Sequence, residues 1–319
     1  MESDPDWNAL PPAEKAESLA KQAAQARRDG QDQLACSCYI QSLNLYRGLD
    51  DRPNTLRMLI RLSYLSGWAD FGDGLDMFVR RRKMGEEALP LARELGDKPL
   101  LSEALAAFAA GESREVARPM LEESAALAEE CGDKSALAWA KTRLAGTCSL
   151  GGDDQDAGKA LNEQSLALYE ELDDKAGIAG VLLSMSIRAD RPQKRAYLER
   201  ALVLQRELGA KKAIVQVLMR LRSYCDEHEI VRKEKYNLEA MELCRQIDSP
   251  IWLASCLDNL AEIARKRGDI ARAEALEAES KSVYERPLPD PELDEALKDA
   301  FSSGDMKKME GAVKRMGER

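Results

Sequence analysis

Aromatic residues make up only 5% of this 319-residue sequence, with 4 Trp, 8 Tyr and 4 Phe, although 44% of it is hydrophobic. Its core must therefore be packed mainly by alanine and leucine. Histidine is rarer still: the single one, His228, stands among Asp226, Glu227 and Glu229 near an expected helix end. It could serve as an acid–base or pH-sensing group, but in that setting it reads as a solvated loop residue. No apolar run approaches the roughly 20 residues of a membrane span, and the start, MESDPDWNALPP, is acidic and proline-rich, unlike a secretory signal. There is no glycine-rich phosphate loop, no nucleophile elbow and no HExxH. The catalytic templates find nothing, so no catalytic residue, cofactor or metal ligand is expected and the chain is not read as an enzyme.

Positive charge is in deficit. Against 57 Asp plus Glu stand 47 Lys plus Arg, a net charge of -10, which argues against a broad nucleic-acid footprint. The densest basic run, Arg80-Arg81-Arg82-Lys83, could grip an acidic tail or a phosphate-bearing partner, but spread around a helix it reads as solvated charge. The 7 cysteines are odd in number and scattered over expected helices, as reduced thiols of a cytoplasmic protein would be. Cys36 and Cys38, two apart on a helix, point to different sides and make a poor metal site.

What the chain does contain is repetition. Ser165 to Asp174 reads SLALYEELDD, and related copies are SLNLYRGLDD from Ser42, ALPLARELGD from Ala88, SAALAEECGD from Ser124, ALVLQRELGA from Ala201 and AMELCRQIDS from Ala240. A decayed copy begins at Ser280. Successive starts are 46, 36, 41, 36, 39 and 40 residues apart, the period of a helical-hairpin array. Leu161, Ser165, Leu168 and Leu172 share one helical face, with Leu166 well off it. A second helix in such an array packs on its own partner and on the next unit. The Gly-Asp or Asp-Asp that ends most copies supplies a left-handed stop and then an N-cap.

The expected hairpins are 13–49, 53–95, 98–131, 134–172, 175–208, 211–247 and 250–285. A leader occupies 1–12, the array 13–286, and a capping helix pair 287–319 covers the apolar end. The charged fraction of 33% suits an extended array with much surface, where about 25% is usual for globular chains. The long second period is explained by an insertion, Gly67-Trp68-Ala69-Asp70-Phe71-Gly72-Asp73-Gly74, whose rings are either tucked onto a helix or displayed.

Leu19 to Tyr46 aligns without a gap on Leu257 to Tyr284, and both segments resemble the tetratricopeptide repeat. Ala23 and Ala261 take its small eighth position, Gly30 and Gly268 its turn, and Ala35 and Ala273 its small twentieth position. The Leu-x-Leu helix ending in Leu-Gly-Asp resembles the longer-helix branch of bacterial maltose-regulator-type arrays. Stepping 13 residues on from the last apolar residue of each copy (Leu49, Leu95, Cys131, Leu172, Leu208 and Ile247) gives Leu62, Phe108, Leu144, Met185, Leu221 and Leu260 at the seventh position. The next residues are Ser63, Ala109, Ala145, Ser186, Arg222 and Ala261. Arg222 alone is large, which implies a shifted register or an arginine held by acidic neighbours.

The resemblance implies an all-α, right-handed α-solenoid of about seven hairpins whose first helices line a concave groove. Ligands of the family are read at the second, fifth, sixth and ninth positions. Those are Arg57, Ile60, Arg61 and Tyr64 in the second hairpin, Trp139, Thr142 and Arg143 in the fourth, Gln216 and Arg220 in the sixth, and Ser255, Asp258, Asn259 and Glu262 in the seventh. The family's chaperone-tail clamp needs lysine and asparagine where this chain has Ala20 and Ala24, then Ile60 and Tyr64, so that partner is not supported. The expectation is a non-catalytic protein-interaction scaffold in the cytoplasm, binding a protein or peptide segment, acidic or phosphorylated, and neither nucleic acid nor membrane. The alternative is a regulatory sensor responding to a peptide or small effector.

Overall fold

The computed structural model describes residues 10–29, 31–65, 74–148 and 154–284, with the side chains at 32, 33, 74–80 and 227 excepted. The leader with Trp7, the Trp68 and Phe71 insertion and the C-terminal capping pair lie outside the described residues. Those described form fourteen α-helices and no strand. In chain order these are α1 Pro12–Arg28, α2 Asp32–Gly48, α3 Arg52–Ser63, α4 Gly74–Leu95, α5 Lys98–Phe108, α6 Arg114–Glu130 and α7 Lys134–Thr147, then α8 Asp154–Glu171, α9 Lys175–Arg188, α10 Arg191–Glu207, α11 Lys211–Ser223, α12 Ile230–Gln246, α13 Pro250–Lys266 and α14 Ile270–Tyr284. The chain divides into two compact units, with α1 to α7 in the first and α8 to α14 in the second. In each unit, sequential helices pack as antiparallel hairpins.

The repeat's stop signal works as its chemistry requires. Gly96, Gly132 and Gly209 and the aspartates Asp50, Asp173 and Asp248 all have φ between 47° and 69°, the left-handed conformation that ends a helix. After four of these six the following residue is an aspartate that caps the next helix. Asp51, Asp97 and Asp174 accept from the backbone N–H of Asn54, Leu100 and Gly177 at 3.0–3.1 Å, where loss of such a cap costs about 1 kcal/mol. Stop and cap are one dipeptide, so the turn between hairpins is only two or three residues long.

The first residue of every copy sits at the closest approach of two helices. Ser42, Ala88, Ser124, Ser165, Ala201, Ala240 and Ser280 are all 0–2% exposed, and a larger side chain would push the helices apart. Where that residue is serine, its hydroxyl finds a backbone carbonyl on the facing helix: Ser42 donates to Ala16 at 2.7 Å, and Ser102 and Ser124 donate to each other's carbonyls at 2.9 and 2.8 Å. A buried hydroxyl without such a partner would cost about 1–3 kcal/mol. The small eighth-position residues Ala23, Ser63, Ala109, Ala145, Ser186 and Ala261 are buried in the same way.

A second repeat feature lies on the outer helices. The sixth residue of a copy pairs with the residue just before the next copy, as Arg47 with Glu87, Arg93 with Glu123, Arg206 with Glu239 and Arg245 with Glu279, at 2.5–2.8 Å. Glu170 and Arg200 make the same contact at 2.7 Å with the signs exchanged. Exposed pairs of this kind add only about 0–1 kcal/mol each, so they fix register more than stability.

Candidate functional site

In the first unit the inner helices α3, α5 and α7 lie side by side, and with their neighbours they gather a cluster of rings and guanidinium groups. Tyr64, at the end of α3, meets Trp139 of α7 edge to face, with ring centroids 6.1 Å apart and planes at 80°, a favourable ring geometry. Between them α5 carries Ala106 and Ala107, 1% and 2% exposed; short side chains there leave room for two rings from flanking helices. Arg27, from the last turn of α1, places its guanidinium 5.8 Å from the Tyr64 ring centre, and Arg143 places its own 5.5 Å from that of Trp139. Arg81 reaches in from α4 and donates from Nη2 to the Ser63 carbonyl at 2.8 Å.

Charge in this cluster is one-sided. Among the described residues four arginines, Arg27, Arg61, Arg81 and Arg143, face one carboxylate, Glu103 of α5, which is 3.4 Å from Arg61. Burial pulls the pKa values of Arg81 and Arg143 down, and for Arg81 the neighbouring Arg143 charge adds to the effect. Burial, with Glu103 in support, pushes the Tyr64 hydroxyl up to about 12. Two donors in the cluster, Trp139 Nε1 and Arg81 Nε, are buried with no acceptor. Such groups are rare in folded proteins because each costs about 1–3 kcal/mol. A site with spare donors and excess positive charge can accept an acceptor-rich anion, and carboxylate and phosphate suit arginine best.

Of the residues expected from the sequence, Arg61, Tyr64, Trp139 and Arg143 come together here. Arg57 is exposed and donates to Asn54 Oδ1 in its own helix at 3.1 Å, outside the cluster. Ile60 is fully buried and faces the core. Thr142 donates to the Ala138 carbonyl. Sequence reasoning missed Arg27 and Arg81. Nothing in the sequence marked Arg27, and Arg81 belonged to a basic run read as solvated; the turn of α4 brings that one arginine inward while Arg82 stays exposed and pairs with Glu112 at 3.2 Å.

The second unit handles its groove positions differently. Gln216 and Arg220 of α11 and Asp258 and Glu262 of α13 are exposed. Glu262 is answered by Lys266 of its own helix at 2.7 Å, a hydrogen bond that lowers its pKa. Asn259 donates to the Ser255 carbonyl at 2.8 Å. Arg222, 9% exposed, is held by neutral oxygens and not by acidic neighbours, one of the two arrangements expected of it. Its Nη1 donates to Asn237 Oδ1 at 2.8 Å and its Nη2 to Ser255 Oγ at 2.7 Å. Ser255 is therefore engaged in packing. His228 is exposed, and no cluster of three or more His, Cys, Asp or Glu suited to a metal exists among the described residues.

No helix among the described residues is long and apolar enough to cross a membrane. No protein-family model matches the chain, and no curated protein matches it. Among solved structures it is similar to a Rap protein complexed with Competence and Sporulation Factor, with a TM-score of 0.52 and 12% identity over 95% of this chain and 99% of that one. It also matches BtubC (BKLC) from P. vanneervenii, at 17% identity over 88% and 95% of the two chains, where the TM-score of 0.34 supports no argument. At such identities the Rap likeness speaks for fold alone: the chain has a tetratricopeptide-like helical-hairpin repeat fold.

Proposed function

We propose that this chain is a non-catalytic interaction scaffold that binds an acidic or phosphorylated segment of a partner protein on the α3, α5 and α7 face of its first unit. The observation that carries the reading is the pair of unpaired buried donors, Trp139 Nε1 and Arg81 Nε, inside a cluster of four arginines. An anion supplied from outside would satisfy both donors and offset the charge. Arg61 and Arg143 are the gripping groups, with the Tyr64 and Trp139 rings as the apolar wall; Trp, Tyr and Arg are the residues that dominate interface energetics. Arg57 is kept as a residue of the rim, and Gln216, Arg220, Ser255, Asp258, Asn259 and Glu262, which belong to the second unit, fall outside this reading. The array boundaries 13–286, a place among the maltose-regulator-type branch and a cytoplasmic setting complete it, the last supported by free cysteines throughout the described residues.

The test titrates the full chain by calorimetry with an Asp/Glu-rich peptide, its phosphoserine counterpart and an uncharged control. The first two should bind and the control should not. Replacing Arg61 and Arg143 together by Ala should weaken binding by about 2 kcal/mol or more, with little change in melting temperature. Unchanged binding with a large fall in stability would make the arginines structural and end the reading. A second reading, a regulatory sensor of a peptide or small effector, draws on the Rap likeness, since that protein was solved in complex with a factor it binds.

A further inference from the structure

The second unit holds a cavity of about 250 Å³ between α8, α9 and α10. At its wall, Asn162 is 1% exposed and neither its Oδ1 nor its Nδ2 has a hydrogen-bond partner. The repeat supplies an internal control. Asn237 occupies the same place in its own copy, three residues before the copy begins, and is fully engaged: its Oδ1 accepts from Arg222 and its Nδ2 donates to the Lys233 carbonyl at 2.8 Å. Elsewhere that place is held by Tyr39, Gly85, Leu121, Leu198 and Glu277. A buried carboxamide left without partners is destabilising, and leucine would avoid that cost.

The rest of the cavity is polar and charged. Lys159, Arg188 and Glu163 line it, with Gln193 and Tyr197 across from them on α10. Arg188 is admitted by a glycine: a Cβ at Gly158 would lie 2.8 Å from Arg188 Nε and 3.1 Å from the Cys148 Cβ, so any other residue would displace the guanidinium. Arg188 Nη2 is anchored to the Cys148 carbonyl at 2.8 Å. Met185 is the one seventh-position residue of the repeat, among the six found by spacing, that is not fully buried, and it too borders this space. At about 30 Å³ per water the cavity has room for about eight, below the roughly 300–1,000 Å³ of sites for drug-sized ligands. It is the size of a single amino acid.

We infer that this cavity binds a small carboxylate that carries an amino or amide N–H beside it, as a free amino acid or the last residue of a peptide does. Lys159 and Arg188 meet the carboxylate, Glu163 meets the nitrogen, and Asn162 at the base pairs with both, because its carboxamide offers one acceptor and a donor side by side. The site is independent of the arginine cluster.

Calorimetry on the full chain tests it, with L-glutamate, L-glutamine, glutarate, and one dipeptide with a free or an amidated carboxy-terminus as probes. Binding of an amino acid, or of the free but not the amidated dipeptide, supports the inference and tells the two sources apart. Glutarate binding as well as glutamate would overturn it, since the N–H would then play no part, and so would silence from every probe, which leaves Asn162 to water alone. Asn162→Leu should reduce binding at least about tenfold without lowering the melting temperature. The exposed Lys159→Glu, which cannot disturb the core, should do the same; binding unchanged in both variants would also overturn the inference. The Arg61 and Arg143 double variant should bind these probes normally, so failure here and failure of the segment-binding reading are separate results.

Discussion

Both units bury arginine, and they treat it in opposite ways. In the second unit Arg222 sits at a position that the repeat keeps small, yet its two terminal nitrogens meet Asn237 and Ser255 at 2.7–2.8 Å. In the first unit Arg81 and Arg143 are half-buried beside Tyr64 and Trp139, while Arg81 Nε and Trp139 Nε1 find no acceptor. The lesson is that a buried arginine by itself says nothing about function. What separates a packing element from a binding group is whether its donors are used up inside the fold.

Removing the side chains tests that contrast most strongly. Arg222→Ala should destabilise the chain by about 3 kcal/mol, because it opens a cavity and leaves Asn237 and Ser255 short of a donor. Arg143→Ala should cost less than about 1 kcal/mol, since it relieves desolvated charge. Chemical denaturation of both variants decides it, and equal losses would collapse the distinction. A subtler change comes next. Trp139→Phe removes an unpaired N–H while keeping a ring, so stability should hold or rise, and affinity for the acidic peptide should fall by about 1 kcal/mol.

Titration sharpens the comparison further. Tyr64 keeps its proton to about 12 in the folded chain, above the ordinary value of 10; its contribution is complete below pH 10 and is lost as pH rises through 12. Tyr64→Phe should flatten the stability loss over that window. In the second unit the Arg195 hydrogen bond, with the Asp226 N–H, lowers Glu229 to about 2 from 4.5. Its contribution is present above pH 4.5 and is lost as pH falls through 2, so Glu229→Gln should flatten the acid limb instead. The smallest effect belongs to the outer ladder: a double-mutant cycle on Arg93 and Glu123 should return a coupling of about 0.5 kcal/mol, vanishing in high salt.

Much of the fold was legible in sequence. The hairpin ends, the left-handed Gly or Asp followed by a capping Asp, and the small residue that opens each copy are local chemistry, repeated often enough to be aligned against itself. The ion-pair ladder was readable by the same alignment, because Glu87, Glu123, Glu239 and Glu279 share one column and Arg47, Arg93, Arg206 and Arg245 another, but it went unread. The candidate site was half legible. Helix register put Arg61, Tyr64, Trp139 and Arg143 on inner helices, and they do meet; register could not show that Arg57 binds its own helix or that Arg81 swings in from an outer one.

By itself, then, the sequence determined the elements, their order and their repeat, since helix stops, caps and apolar stripes act over a few residues and need no partner to be recognised. Only the tertiary structure decided which polar groups were satisfied. Asn162 and Asn237 are the same residue in the same column, and Arg222 and Arg143 are both arginines on inner helices near a helix end. One member of each pair has its hydrogen bonds filled inside the chain, and the other is left with polar atoms unpartnered or with desolvated charge. That difference is set largely by residues 15 or more positions away, Asn237 and Ser255 for Arg222 and Tyr64 for Arg143, which no local pattern records.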